Sequence, residues 1–167
     1  MFNKSKTVCF SGHRTKRLPQ TLQGMKELET QIYRQINKAI SLGYNSFIFG
    51  GCLGFDLMSA RVVLDIQNSS TPDTPKQITL IAAIPFEGQA ERWNSKDREL
   101  YKNILSRCDD VICICKDFSL YSYSKRNRFM VDNSSRLICY YDGEGGGTAS
   151  TVKYADMKGL EIINLYS

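Results

Sequence analysis

Three consecutive glycines, Gly145, Gly146 and Gly147, follow an aromatic strand-like run that ends at Tyr141 and precede a helical pattern that starts at Thr148. Glycine has no Cβ, so its backbone can approach a ligand closely. The first turn of the following helix directs unpaired N–H groups and a partial positive charge at the same place. This combination predicts an anion site, for phosphate above all, and its simpler interpretation is a glycine turn that ends a strand.

Three further loops that contain glycine, polar or charged residues also follow predicted strands. They are Ser11-Gly12-His13-Arg14, Gly50-Gly51-Cys52-Leu53-Gly54-Phe55-Asp56 and Pro85-Phe86-Glu87. Ligands of parallel α/β sheets bind outside the carboxyl ends of the strands. We therefore expect the four loops to meet at one edge of the sheet and to form a pocket for a phosphate-bearing small molecule, most simply a nucleotide.

The side chains in these loops suggest separate roles in such a pocket. His13, the only histidine in the chain, and Arg14 supply a titratable donor and a permanent charge. Asp56 would repel a phosphate in its own helical turn, so it either caps that helix or accepts a hydrogen bond from sugar hydroxyls. Glu87 and Trp93 are interpreted either as ribose and base contacts or as a surface glutamate and a core tryptophan. If Asp56 and Glu87 face each other, they form a carboxylate pair of the kind used on glycosidic bonds.

Arg126 and Asn127 fall near the start of a helix predicted from Ser124 to Asn133, with Ser122 or Ser124 as its cap. A cation in the first turn opposes the helix dipole. The position therefore favours a role with an anion, although solvent also tolerates an arginine there.

The elements that must position these residues alternate between strand and helix. Strands are predicted at residues 7–10, 46–49, 78–84, 111–115, 137–141 and 162–165, and helices at 22–39, 55–67, 93–105, 124–133 and 148–158. Six strands alternating with five helices predict an α/β fold with a mostly parallel sheet covered on both faces. The polar segment 68–75 is expected to be an exposed loop and not a domain boundary, so residues 1–167 are expected to form one domain.

The composition narrows the class of protein. Apolar residues make up 42% and charged residues 23% of the 167 residues, which is typical of a globular chain. No apolar run approaches the ~20 residues of a membrane span, and the start of the chain lacks a signal-peptide core, so a cytoplasmic location without membrane partners is expected. The net charge of +5 is small for a nucleic-acid binder, which makes nucleic acid a permitted partner but not the favoured one.

The six cysteines include no CxxC pair, and Cys9, Cys113, Cys115 and Cys139 lie in strand-like runs. Cysteine in a strand packs as a small hydrophobic residue. We therefore expect structural thiols in a reducing compartment, with no metal site and no cofactor.

Taken in order, these motifs resemble the SLOG superfamily of Rossmann-like domains, named for the Smf/DprA and LOG proteins, and most closely its YpsA-like branch. The resemblance spans almost the whole chain. It rests on five motifs: Ser11-Gly12-His13-Arg14; Gly50-Gly51 through Gly54-Phe55-Asp56; Ile84-Pro85-Phe86-Glu87 with Gln89 and Trp93; Tyr121-Ser122 through Arg126-Asn127 and Met130-Val131-Asp132; and Gly146-Gly147-Thr148 through Tyr154-Ala155. It implies a Rossmann-like three-layer αβα sandwich with about six strands. It also implies binding of nucleotides, nucleotide-derived signals or nucleic acid at the glycine loops, often in homo-oligomers.

The LOG members of this superfamily hydrolyse the N-glycosidic bond of nucleoside 5′-monophosphates, with an arginine in Arg-Lys-x-x-Met and a glutamate in Pro-Gly-Gly-x-Gly-Thr-x-x-Glu. Arg126 and Met130 match the first pattern, with Asn127 in place of the lysine. Thr151 stands at the glutamate position, and a hydroxyl cannot serve as a carboxylate base at neutral pH. The resemblance therefore supports binding more strongly than catalysis.

The sequence thus predicts a sensor or regulatory protein that binds a nucleotide or a nucleotide-derived small molecule. One alternative is a LOG-like phosphoribohydrolase, for which Glu87, Asp56, Glu144 and Arg126 are the weak catalytic candidates. The second alternative is DprA-like binding of single-stranded DNA, which the basic residues near Arg14 and Arg126 permit.

Overall fold

Six parallel strands form one sheet in the computed structural model, which describes residues 3–69, 71 and 77–167. The strands are β1 (Thr7–Gly12), β2 (Ser46–Phe49), β3 (Thr79–Phe86), β4 (Asp110–Cys115), β5 (Arg136–Tyr140) and β6 (Glu161–Asn164). Their order across the sheet is β4-β3-β2-β1-β5-β6, and every neighbouring pair is parallel. The predicted α/β class is confirmed, and the sheet is wholly parallel.

Five helices cover the two faces of the sheet. They are α1 (Leu22–Ser41), α2 (Phe55–Asn68), α3 (Ser95–Ser106), α4 (Ser122–Asp132) and α5 (Gly147–Met157). Alternate strand residues point to opposite faces, so Phe10 and Phe49 pack in the core beneath α1, α2 and α3, while Cys9 and Ile48 pack in the core beneath α4 and α5. All four side chains are fully buried. The result is the three-layer αβα sandwich.

The order of the strands reverses at β1, with β2 to β4 on one side of it and β5 and β6 on the other. The chain leaves β1 toward α1 on one face and leaves β5 toward α5 on the opposite face. The two connections therefore separate at the carboxyl ends of β1 and β5 and leave a crevice, which is where open α/β sheets bind ligands.

Two local predictions were wrong. Trp93 precedes α3 instead of belonging to it, because Asn94 is the N-cap of that helix. The Asn94 Oδ1 accepts a hydrogen bond from Asp97 N at 2.9 Å. No side chain caps α4: the hydroxyl of Ser122 instead accepts a hydrogen bond from Ser119 N at 2.9 Å. Of the predicted loop at 68–75, residues 70 and 72–75 lie outside the described part of the chain.

Candidate functional site

A cavity of about 310 Å³ occupies the crevice between the β1 and β5 loops, and we call it the basic cavity. Nine predicted site residues line it: Ser11, Gly12, His13, Arg14, Asp56, Arg126, Asn127, Gly147 and Thr148. Four residues absent from the predicted set also line it, namely Arg17, Cys52, Tyr123 and Met130. Three arginines thus converge on one cavity that contains a single carboxylate.

Asp142, two residues after the end of β5, links the loop after β1 to residues 145–147, which we call the glycine loop. Its carboxylate accepts hydrogen bonds from Arg17 Nε at 3.0 Å and Arg17 Nη2 at 2.5 Å, and Oδ1 lies 2.8 Å from His13 Nε2. Arg17 Nη1 also donates to the carbonyl of Gly145 at 3.2 Å. The Arg17 hydrogen bonds, followed by those of Glu144 N and His13, lower the pKa of Asp142 to about 2. His13 and Arg17 therefore hold the glycine loop in place.

Arg126 is the most deeply buried cation of the basic cavity, with 3% of its surface exposed. Its guanidinium donates to the carbonyl of Gly50 through Nη1, to Cys52 Sγ at 3.3 Å through Nη2 and to Asn127 Oδ1 at 2.7 Å through Nε. It forms no ion pair with any carboxylate of the described residues. A buried charge without a direct counter-ion is costly, so the site favours a bound anion.

Asp56 lies in the first turn of α2 and is 4% exposed. Burial raises the pKa of this carboxyl to about 6, against the opposing effects of the Arg126 charge and of hydrogen bonds from the loop backbone. One of those bonds comes from Cys52 N at 3.3 Å. The N-cap of α2 is Gly54, without a side-chain hydrogen bond, so Asp56 accepts hydrogen bonds from the preceding loop and does not cap the helix.

The predicted ligand-contact glycines fall into two groups. A Cβ on Gly12 would overlap the Phe55 ring, one on Gly50 would overlap the Arg126 guanidinium, and one on Gly54 would lie 2.7 Å from the His13 carbonyl oxygen. These three glycines, with Gly51 against Gln89, serve internal packing. By contrast, nothing lies within 4 Å of a Cβ built on Gly145 or Gly147. The glycine loop is therefore the place where the backbone faces open space.

The N-terminus of α5 opens onto the basic cavity. Its cap is Gly146, whose φ of +136° is a conformation that side chains rarely allow, and no side chain caps its N–H groups. No acidic residue lies in its first turn, and Gly147 and Thr148 line the cavity. Free N–H groups and the helix dipole at this end suit a phosphate.

Thr151 lies one turn further along α5 and is 2% exposed. Its hydroxyl donates to the carbonyl of Gly147 at 2.9 Å, so it is engaged with its own helix. The side chain lines a neighbouring cavity between α4 and α5 and not the basic cavity. The chain has no carboxylate at this point of α5.

Glu87 and Trp93 lie in a second cavity of about 460 Å³, which we call the acidic aromatic cavity. Asp56 does not line this cavity and Glu87 does not line the basic cavity, so the two carboxylates do not share one cavity. Tyr123 lines both. The sequence offered little sign of Tyr123, because its role depends on the packing of α4 against the strand ends.

The wholly parallel sheet, the helices on both faces and the crevice at the reversal of strand order define a Rossmann-like α/β protein. The family model of YpsA, described as the YspA SLOG family, matches residues 8–165. The chain belongs to this family, which confirms the resemblance seen in the motifs.

Curated relatives support the same assignment. The chain is 32% identical over 146 residues to a UPF0398 protein of Bacillus thuringiensis (strain Al Hakam), and the match covers 86% of this chain and 77% of that protein. A UPF0398 protein of Bacillus cereus (strain AH187) matches with the same identity and the same shares.

Solved structures of DNA processing protein A share the fold. The protein from Streptococcus pneumoniae superposes with a TM-score of 0.63 at 17% identity over 96% of this chain, and this chain spans 50% of that one. The protein from Helicobacter pylori, whose structure is described as showing a single-stranded DNA binding mode, superposes with a TM-score of 0.63 at 16% identity. That match covers 97% of this chain and 65% of the other. No helix within residues 3–69, 71 and 77–167 is long and apolar enough to cross a membrane.

Proposed function

We propose that this protein binds a nucleotide or a nucleotide-derived small molecule in the basic cavity and acts as a sensor or regulatory protein. The observation that carries the proposal is the meeting of Arg126, buried and without an ion pair, with the uncapped N-terminus of α5. The phosphate binds the first-turn N–H groups of α5 and the Thr148 hydroxyl, and the charges of Arg126, Arg14 and Arg17 stabilise it.

The rest of the ligand lies against groups that accept or stack. Asp56, a buried residue that lines the cavity, accepts a hydrogen bond from a sugar hydroxyl. The Tyr123 ring lines the cavity, and the guanidinium carbons of Arg126 and Arg14 lie 5.7 Å and 5.9 Å from its centroid. This arrangement gives one wall a positive charge and the adjoining wall an aromatic surface.

Binding without cleavage is favoured because the position of the LOG glutamate carries Thr151, whose hydroxyl is occupied by its own helix. Asp56 is the remaining carboxylate in the basic cavity. If it acts as a base, the protein is a phosphoribohydrolase, and Asp56→Asn abolishes base release while retaining nucleotide binding.

The test incubates the full chain with a panel of nucleoside monophosphates and follows its melting temperature and the release of free base by chromatography. We expect stabilisation by at least one nucleotide and no base release. Arg126→Lys should weaken binding by at least about tenfold, since a point charge cannot replace the guanidinium fork. Arg61→Lys is the matched control, because Arg61 on α2 forms an exposed ion pair with Glu29 on α1, with an N–O distance of 3.3 Å. If no nucleotide raises the melting temperature, the proposal fails.

Single-stranded DNA is the second candidate, favoured by the Helicobacter pylori neighbour and by exposed aromatic side chains beside the site. Phe118 and Tyr121 are 62% and 69% exposed, and bases of single strands stack on such rings. DNA binding with a steep salt dependence, together with no response to nucleotides, would favour this function over the first.

A further inference from the structure

The acidic aromatic cavity carries an excess of negative charge, whereas the basic cavity carries an excess of positive charge. Three carboxylates, Glu87, Glu91 and Asp117, line it together with one cation, Arg92, and none of these four side chains forms an ion pair with another described residue. The described part of the chain contains no group of acidic, histidine or cysteine side chains placed to hold a metal ion. Ionised carboxylates accept hydrogen bonds and cannot donate them. This cavity therefore suits a ligand that carries hydrogen-bond donors.

Aromatic rings form the walls between these carboxylates. The Phe86 ring contacts the Phe118 ring edge-on at a centroid distance of 5.3 Å and the Tyr123 ring at 5.8 Å. Glu87 directly follows Phe86 and Asp117 directly precedes Phe118 in the chain, and all four residues line the cavity. Rings flanked by acceptors are suited to a planar heterocycle with N–H groups on its edge.

Gln89 provides an independent sign of a ligand in this cavity. It lines the cavity, is 7% exposed, and its Nε2 donates to the Gly51 carbonyl at 3.3 Å and to the Tyr101 hydroxyl at 3.0 Å. Its Oε1 is buried and has no hydrogen-bond partner among the described residues. A buried acceptor left unpaired is unfavourable, and a donor on a bound molecule would satisfy it.

The two cavities meet at Tyr123, which lines both. The Arg126 guanidinium carbon lies 5.7 Å from the centroid of the Tyr123 ring, and the Phe86 ring contacts the same ring edge-on at a centroid distance of 5.8 Å. We propose that the two cavities form one bipartite site, in which the basic cavity holds the phosphate of a nucleotide and the acidic aromatic cavity holds its base, a guanine. This inference rests on the proposed function and specifies its ligand.

Guanine fits the acidic aromatic cavity better than the other bases do because of the order of donors on its edge. Its N1–H and N2–H groups lie side by side and can both donate to one carboxylate. Adenine places the acceptor N1 next to its amino group, and uracil flanks its single N–H with two carbonyl oxygens. A charge-assisted pair of hydrogen bonds to a carboxylate therefore selects guanine.

The test measures the affinities of the full chain for GMP, IMP and AMP by calorimetry. GMP and IMP differ only in the exocyclic amine. We expect GMP to bind at least about tenfold more tightly than AMP, with IMP between them, as the loss of charged hydrogen bonds predicts. The double variant Glu87→Gln, Asp117→Asn should lose the preference for GMP and keep its affinity for AMP. Glu99→Gln, at an exposed position on α3, is the matched control and should keep the preference.

Three results would overturn this assignment. If AMP binds as tightly as GMP and both need Arg126, the guanine preference is wrong while the proposed function stands. If the double variant folds with an unchanged melting temperature and still prefers GMP, these carboxylates do not contact the base; Glu87→Gln alone replaces the double variant if the latter is destabilised. If none of the three nucleotides binds but another nucleotide of the panel does, the guanine assignment fails and the proposed function stands; if no nucleotide of the panel binds, both fail.

Discussion

Asp56 is the residue whose ionisation the fold alters most directly at the site. An acid whose pKa rises on folding holds its proton more tightly in the folded state, so its buried charge lowers the free energy of unfolding at high pH. For a pKa of about 6, this penalty is fully present above pH 6 and is relieved as the pH falls from about 6 toward the ordinary value of 3.8. The Asp56 carboxylate is thus retained at a cost to stability, which is typical of functional residues.

Asp56→Asn should therefore raise the free energy of unfolding at pH 8 by about 2–3 kcal/mol, the equivalent of a shift of roughly two pKa units. It should also flatten the pH dependence between pH 5 and pH 8. Urea denaturation across this range measures both effects. Asp65→Asn, an exposed carboxyl on the same helix, should change neither. Equal pH profiles for the wild type and Asp56→Asn would show that the carboxyl titrates outside this range.

The residues at the site also show what the sequence could and could not reveal. The types and sequence positions of Arg126, Gly147 and Thr148 are enough to predict an anion site, without any information on which residues surround them in space. The glycines did not reveal their separate roles, because a glycine that makes room for Phe55 or Arg126 has the same local pattern as one that faces open space. Only the distances around Gly12 and Gly50 distinguish the two groups.

At the scale of elements, the junction of β5 and α5 carries the proposed phosphate contact. Gly147→Val adds a side chain where no atom lies within 4 Å, so the fold should tolerate it while the approach of a phosphate is blocked. We expect at least about a tenfold loss of nucleotide affinity, with a melting temperature close to that of the wild type, because valine is no poorer a helix residue than glycine.

Ser150→Val is the matched control for Gly147→Val. It places the same side chain on α5 at an exposed position that does not line the basic cavity. Calorimetry with the nucleotide that stabilises the wild type most would compare the two variants. Equal affinities for Gly147→Val and the wild type would remove the glycine loop from the site.

The link between the β1 and β5 loops depends on Asp142. Its pKa is lowered on folding, so its stabilising contribution is present above pH 4 and is lost as the pH falls through about 2. At neutral pH, Asp142→Asn should weaken nucleotide binding by about twofold to fivefold, the size expected when a surface ion pair positions a loop.

Asp132→Asn is the control for Asp142→Asn, because Asp132 forms a comparable exposed ion pair with Lys158 at 3.3 Å and lines neither cavity. Both variants should melt close to the wild type. A fall in affinity of the same size in both would mean that the Asp142 link has no specific part in binding.

Element patterns in the sequence were sufficient for the α/β class, since the strands and helices alternate clearly. They were not sufficient for the link through Asp142, because Arg17 and Asp142 are 125 positions apart and meet only when β1 pairs with β5. The same limit applies to Glu87 and Trp93. Although β2 and β3 are neighbours in the sheet, Cys52 and Asp56 after β2 line the basic cavity, whereas Glu87 after β3 lines the acidic aromatic cavity.

On the scale of the whole molecule, charge is distributed more unevenly than the modest net charge of +5 suggests. The basic cavity is lined by three arginines and one carboxylate, and the acidic aromatic cavity by three carboxylates and one arginine. A ligand with a phosphate at one end and a base rich in hydrogen-bond donors at the other would complement the charges of both cavities, whereas a uniformly charged polymer would complement only the basic cavity. This distribution is why we place a small nucleotide ahead of single-stranded DNA.

The most direct test of this account is calorimetry of the intact chain with a panel of nucleoside monophosphates and with the corresponding nucleosides. The account predicts that at least one nucleotide binds at a single site per chain. It also predicts that the matching nucleoside binds at least about tenfold more weakly, because the phosphate contacts of α5 and Arg126 are lost. Equal affinities for a nucleotide and its nucleoside, or no binding of either, would contradict the central claim that the basic cavity is a phosphate site.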